Sequence, residues 1–163
     1  MDIDFFTKCE VEDNMHRIER LINSGIFNEV NSGNLFVKSA FIDVLICLRN
    51  LMSKSSKYSE PISFTNDVII TQKVKNVSEL IKFVRDALCH PESINHLIPN
   101  TSTKASFNIV YGKGCILKIG EVTQNSEYDD DVCFFFGEQR IYLMRHIIKA
   151  FNMAKQNLLP LVR

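Results

Sequence analysis

The segment "NLFVKSAFIDVLICLRNLMSKS", residues 34–55, decides the fold that this sequence predicts. Its apolar residues recur at spacings of three and four, which is the period of an α-helix. Apolar residues cover much of the circumference, as expected for a central helix in a bundle. The main apolar stripe consists of Val37, Phe41, Val44, Leu45, Leu48 and Met52. Asn34 is placed to cap the start of this helix.

The same periodicity predicts a helix on either side of this central segment and another near the end of the chain. The first helix covers about residues 7–24 and ends at Gly25, which accepts a left-handed conformation. The third covers about residues 77–90 and the last about residues 138–159. Pro160 is expected to end the last helix, because proline lacks the N–H that a helix interior needs.

Residues 105–137 change from a helical period to alternation and predict β-strands. "SFNIVYGKGCILKIGEV" indicates a hairpin that turns at "GKG", and "VCFFFG", residues 132–137, indicates a third short strand. Between them, "EYDDD", residues 127–131, is predicted to be a solvated acidic loop. The phenylalanines of the third strand, Phe134, Phe135 and Phe136, suit either core packing, which we favour, or a platform for stacking nucleobases.

These segments together predict a mainly α fold. We expect an up-and-down helical bundle of about four helices, with a small antiparallel β insertion at about 105–137 between the third and fourth helices. The length of 163 residues suits a single domain of residues 1–163. Residues 56–75 form a connection that is long for a compact domain, and such connections are often functional.

Composition limits the classes of function. Lys plus Arg equals Asp plus Glu, at 19 each, so no overall basic field attracts nucleic acid or an anionic membrane. No apolar run reaches the ~18 residues of a membrane span, and the N-terminus does not have the order of a signal peptide. The five cysteines are scattered, without a zinc-type or Cys-x-x-Cys spacing. We therefore predict a cytoplasmic protein with reduced thiols, no cofactor, no metal and no membrane partner.

The end of the third helix carries the candidate chemistry, in "FVRDALCHPES", residues 83–93. Asp86 and His90 are four residues apart, so they share a helical face, where a carboxylate can fix the imidazole tautomer. Arg85 can hold a phosphate through paired hydrogen bonds. A phosphate clamp beside an imidazole is sufficient for metal-free RNA cleavage, in which histidine moves a proton and arginine stabilises the charge on the phosphate. Such a reaction spares DNA, which lacks the 2′-OH.

A structural interpretation of the same residues is equally available. A positive group in the last helical turn stabilises the helix dipole, and Arg85 can pair with Glu79 or Asp86 on a solvated face. Spacing alone does not decide, because roughly half a match to Arg followed by His after four to six residues is expected by chance. The chain holds two such matches, and the second is Arg140 with His146 in the predicted last helix.

"RDALCH", residues 85–90, resembles the motif of the HEPN superfamily, in which a polar residue follows the arginine and a histidine comes a few residues later. HEPN domains are helical bundles that carry this motif at the end of a late helix, as the predicted third helix does here. Ile141 follows Arg140, so the second match lacks the polar residue. We treat it as a decoy, although Arg145 or His146 would be able to line the same cleft.

The resemblance implies a metal-independent endoribonuclease, of a kind found in toxin–antitoxin and defence systems, that acts as a homodimer with two Arg/His motifs in one cleft. Arg85 and His90 are then catalytic and Asp86 supports them. RNA is the implied substrate, and an antitoxin or nucleotidyltransferase is an implied partner. The alternative is a non-catalytic HEPN-like module for dimerisation or protein interaction, which the balanced charge favours.

Overall fold

The computed structural model describes residues 3–162. Within these residues the helices are α1 (Phe5–Asn23), α2 (Val37–Tyr58), α3 (Val77–Cys89) and α4 (Lys149–Val162). The strands are β1 (Ser106–Tyr111), β2 (Gly114–Ile119), β3 (Val122–Ser126), β4 (Val132–Phe136) and β5 (Gln139–Tyr142). Short 3₁₀ helices lie at Glu29–Asn31 and Ile94–His96, and a π-helix at Leu143–Ile148 directly precedes α4. The single-domain prediction also covered residues 1, 2 and 163, which lie outside the described part.

The described chain divides into two compact units. The helical unit contains the residues up to Phe64 and those from Ile148 onward, and so holds α1, α2 and α4. The mixed unit, Thr65–Ile147, holds α3 and the strands. The chain therefore passes from one unit to the other within the long connection after α2.

In the helical unit, α2 contacts both α1 and α4. The stripe predicted for α2 is buried, as the sequence indicated. The predicted cap at Asn34 is wrong, because the N-cap residue of α2 is Phe36, which makes no side-chain cap hydrogen bond. Asn34 instead accepts from the Phe36 N–H at 2.9 Å, before the helix begins. The helix α1 stops at Asn23, and Gly25 follows with a φ of 72°, so the predicted glycine stop is confirmed.

In the mixed unit, β1, β4 and β5 form an antiparallel sheet in the order β1–β4–β5, and β2 pairs with β3. The helix α3 contacts β1 and β5 of this sheet. Its apolar stripe, which the sequence assigned to a helical bundle, is thus buried in a unit that it shares with strands.

Both faces of β4 are buried, so core packing of its phenylalanines is confirmed. Phe135 packs with Cys133 and Tyr142, while Phe134 and Phe136 face the ring of Phe107 at centroid distances of 5.8 and 6.2 Å. Because these rings are inaccessible to solvent, they do not form a stacking platform for nucleobases.

Gly137 makes the tight turn between β4 and β5 possible. Its φ is 54°, and a Cβ at this position would lie 2.7 Å from the carbonyl oxygens of Asn95 and Leu97. A side chain at this position would therefore clash with the backbone of the 3₁₀ segment.

The predicted fold class, a mainly α four-helix bundle with a small β insertion, is wrong. Five antiparallel strands in the described chain form a substantial β region, and α3 belongs to the unit that contains them. Helical periodicity identifies which face of a helix is buried, but not which elements bury it. The stripe of α3 fits a sheet as well as it fits other helices.

Two local predictions were also wrong. The strand β1 pairs with β4 instead of forming a hairpin with β2, because alternation identifies strands but not their partners. The predicted helix at 138–159 instead begins as β5, continues as the π-helix and becomes α4 only at Lys149. Pro160 lies inside the last turn of α4 and does not end it.

Candidate functional site

The helix α3 is fixed at both ends, which positions the predicted motif. The Asn76 side chain accepts from the Glu79 N–H at 3.0 Å, as a capping box requires. The Glu79 carboxylate accepts from the N–H of Lys75, one residue before the cap, at 2.6 Å. At the other end, Pro91 prevents helical geometry at His90, whose φ of −127° and ψ of 96° are extended. Arg85 therefore lies in the last turns of a helix whose ends are defined by local chemistry.

Arg85 and Asp86 form an ion pair on the surface of α3. The Arg85 Nε and Nη2 atoms donate to the same carboxylate oxygen, Asp86 Oδ1, at 3.1 and 2.5 Å. The side chains are 36% and 31% exposed. A guanidinium has five N–H donors, and this carboxylate engages two of them. Asp86 thus orients Arg85 and leaves other donors of the guanidinium available to a ligand.

His90 is connected to the ion pair through the backbone alone. Its N–H donates to the Asp86 carbonyl at 3.1 Å, and its side chain is exposed. Within residues 3–162 its ring makes no hydrogen bond. The expected contact, in which Asp86 fixes the imidazole tautomer, is not made, because that carboxylate is turned to Arg85.

The second Arg–His match has the opposite environment. His146 is fully buried, its Nδ1 accepts from the Tyr142 N–H at 3.0 Å, and its Nε2 lies 3.0 Å from the Asn66 carbonyl oxygen. Since a carbonyl oxygen only accepts, Nε2 carries the proton and the imidazole is neutral. Burial lowers the pKa of His146 to about 4. This histidine is held in one tautomer by its fold and cannot line a cleft.

Arg140, the partner of His146 in that match, is also committed to structural contacts. Its Nη1 donates to the Asn125 carbonyl at 2.9 Å, and its Nη2 donates to the Glu127 carboxylate at 2.8 Å. Its side chain is 13% exposed. The interpretation of this match as a decoy agrees with these contacts.

The sequence predicted a solvated acidic loop at 127–131, but one residue of this loop is buried. Asp131 is buried, and its carboxylate accepts from the backbone N–H groups of Val132, Met144 and Arg145 at 2.8, 2.8 and 3.1 Å. It also accepts from the Arg145 guanidinium at 3.1 Å. Asp131 therefore caps the start of the π-helix. The sequence does not predict this role, because the residues that Asp131 caps lie 13 and 14 positions away.

Tyr128 extends the same network. Arg145 stacks over its ring at 3.6 Å, and its hydroxyl donates to the Asp67 carboxylate at 2.5 Å. That hydrogen bond raises the pKa of Tyr128. The network links Asp67, near the start of the mixed unit, to Arg145, near its end. The carboxylates of Asp67 and Asp131 therefore have structural partners.

The other cysteines and histidines differ in burial. Cys89 is exposed beside His90. His16 is exposed on α1 and His96 is buried. Burial raises the pKa of Cys133 to about 12, which leaves that thiol unreactive. Among residues 3–162, no group of three or more His, Cys, Asp or Glu side chains is arranged to hold a metal ion.

Comparison with family models, with curated proteins and with solved structures finds no match to this chain. None of the helices in the described range combines the length and apolar character needed to cross a membrane.

Proposed function

We propose that this chain is a metal-independent endoribonuclease whose reactive groups are Arg85 and His90, with Asp86 as a positioning residue. His90 accepts the proton of a ribose 2′-OH, and the 2′-oxygen attacks phosphorus. The bond to the 5′-oxygen breaks as that oxygen takes the proton from the His90 imidazolium. The products are a 2′,3′-cyclic phosphate and a 5′-hydroxyl. Arg85 stabilises the charge that develops on the phosphate oxygens.

The observation that carries this proposal is the accessibility of both groups at one helix end. Arg85 keeps donors beyond those that Asp86 engages, and the His90 ring is exposed, so a phosphate and a ribose hydroxyl can both reach them. The polar residue after the arginine, which the HEPN resemblance emphasised, has a physical role here because it orients the guanidinium. By the same resemblance we propose a homodimer that brings two such motifs together. An antitoxin or nucleotidyltransferase partner is expected only if this function holds.

The test is incubation of single-stranded RNA with the protein in the presence of a metal chelator. We expect wild type to produce ends with a cyclic phosphate and to leave the matching DNA intact. His90→Ala should lose about 10²–10⁴-fold in rate, which is the usual contribution of a general acid or base. His16→Ala is the matched control, because His16 is another exposed histidine of this chain. Equal cleavage by wild type and His90→Ala would exclude the proposal.

A non-catalytic interaction module is the second candidate, and one observation favours it. Val30, Leu35 and Phe36 are 88%, 90% and 70% exposed, and all three lie between α1 and α2 in the helical unit. Clustered exposed apolar side chains are typical of interaction surfaces. If this candidate is right, Leu35→Ser with Phe36→Ser abolishes self-association in sedimentation experiments, and RNA stays intact in every variant.

A further inference from the structure

A groove beside α3 reaches Asp86, the residue that orients Arg85. It encloses about 190 Å³ and is lined by Lys73, Glu79, Lys82, Phe83, Asp86 and Asn95. Four of these residues occur on α3 at spacings of three and four, so they form one row on the helix surface. Asp86, at the end of this row, is the residue that holds Arg85. His90 follows the last turn of α3, where the chain leaves helical geometry.

The lysines and the carboxylates that line this groove differ in their hydrogen-bond partners. The Glu79 carboxylate accepts from the Lys75 N–H, and the Asp86 carboxylate accepts from Arg85. Lys73 and Lys82 are exposed and form no ion pair or hydrogen bond within the part of the chain that the structure describes. The groove therefore offers two unpaired ammonium groups to a ligand. The charge of Asp86 is offset by Arg85, whereas the Glu79 carboxylate is hydrogen-bonded to a backbone N–H and keeps its charge.

The groove lacks the features that read bases. Phe83 is only 7% exposed, so its ring is not a stacking surface. The Asn95 amide donates to the Phe83 carbonyl at 3.2 Å and thus helps to close the groove wall. Ammonium groups are point charges that suit phosphates of any sequence.

We propose that this groove binds backbone phosphates of single-stranded RNA that flank the phosphate held at Arg85. This inference rests on the proposed ribonuclease function and defines its substrate class as a polynucleotide instead of a short phosphate ester. Lys73 and Lys82 supply the charge, and recognition in the groove is independent of base identity.

The test compares two double variants that each remove two exposed lysines of the mixed unit. Lys73→Gln with Lys82→Gln removes the groove charges. Lys113→Gln with Lys118→Gln is the matched control, because those lysines are also exposed and unpaired among the described residues. Both are combined with His90→Ala, and binding of a fluorescent single-stranded RNA is measured at several salt concentrations.

We expect the groove variant to reduce the slope of log K against log salt by about 1.4, since each phosphate contact on a single strand contributes about 0.7. The control should keep the slope of the parent. With His90 intact, the groove variant should raise KM and leave kcat unchanged, because the lysines bind substrate and transition state equally.

The outcomes separate the two proposals. If wild type cleaves RNA and both double variants show the same slope and KM, the groove proposal is overturned and the ribonuclease stands. If wild type does not cleave RNA but the slope still depends on Lys73 and Lys82, the ribonuclease is overturned and the phosphate groove stands. Absence of both cleavage and lysine-dependent binding overturns both.

Discussion

Arg85 and His90, at the end of α3, have side chains that solvent reaches. By contrast, the side chain of Arg140 on β5 is mostly buried, and that of His146 in the π-helix is fully buried. In sequence the two pairs differ by one intervening residue. In structure they differ in what their donors and acceptors contact. Both ring nitrogens of His146 are used by the backbone, while the ring of His90 makes no hydrogen bond within residues 3–162.

This difference shows what a spacing motif omits. A histidine acts as a proton carrier only when a nitrogen can exchange its proton with substrate, and the fold has removed that freedom from His146. The same contacts make His146 a stabilising residue. The two pairs should therefore respond oppositely to mutation, in activity for one and in stability for the other.

The largest expected effect on stability is that of His146→Ala. The change removes two hydrogen bonds, deprives the buried Tyr142 N–H of its acceptor and leaves a cavity, for a loss of about 4 kcal/mol in the free energy of unfolding. His90→Ala should change it by less than about 0.5 kcal/mol, as an exposed substitution does. Urea unfolding measures both. A similar small effect in the two variants would show that the contrast in burial has no energetic consequence.

The next effect is the pH dependence of stability. Burial lowers the pKa of His146 from 6.5 to about 4, although Asp67 and Asp131 oppose the shift. Between these pH values the unfolded chain binds a proton at this imidazole and the folded chain does not, so stability falls as pH falls from 6.5 to 4. The full loss is about 3 kcal/mol. Above pH 6.5 the contribution is fully present.

His146→Gln is the variant that isolates this effect, because an amide can still donate toward Asn66 but does not titrate. Unfolding free energies measured from pH 7 to pH 4 should fall less steeply in His146→Gln than in wild type. His90→Ala should retain the wild-type slope. If His146→Gln also retains the wild-type slope, a group other than His146 causes the loss of stability at low pH.

Local chemistry made the ends of α3 predictable. The bounds predicted for the third helix, about 77–90, agree with Val77–Cys89, because the Asn76 cap and the Pro91 stop depend on residues within one turn of the helix. The buried stripe of α2 was predictable for the same reason, since periodicity is a local property. The position of Arg85 and His90 at a helix end follows from these local rules.

Long-range pairing was not predictable. The alternation in 106–111 fits any partner strand, and β4 was identified as the partner only by the structure. The buried role of Asp131 depends on residues 13 and 14 positions away, so its three-aspartate context suggested a solvated loop. The turn at Gly137 was not predicted, because the spacing of the apolar residues that follow it also fits a helix.

At the candidate site, the sequence likewise did not decide which residue Asp86 contacts. In sequence, Asp86 had two possible partners, His90 four residues away and Arg85 next to it. Residues four apart share a helical face, which favoured His90. His90 is not helical, however, because Pro91 follows it, and the Arg85 guanidinium donates to the Asp86 carboxylate instead.

The smallest expected effect is the stability contributed by this ion pair. Because both side chains are about one third exposed, Arg85→Ala, Asp86→Asn and the double variant should each alter the free energy of unfolding by about 0–1 kcal/mol. The coupling energy from the double-mutant cycle should lie in the same range. Asp86→Asn should nevertheless slow RNA cleavage, since the amide orients the guanidinium less firmly than a carboxylate does. A coupling energy above about 2 kcal/mol, together with unchanged cleavage, would instead show that Arg85 and Asp86 have a structural role. The contrast with Arg140 and His146 would then no longer hold.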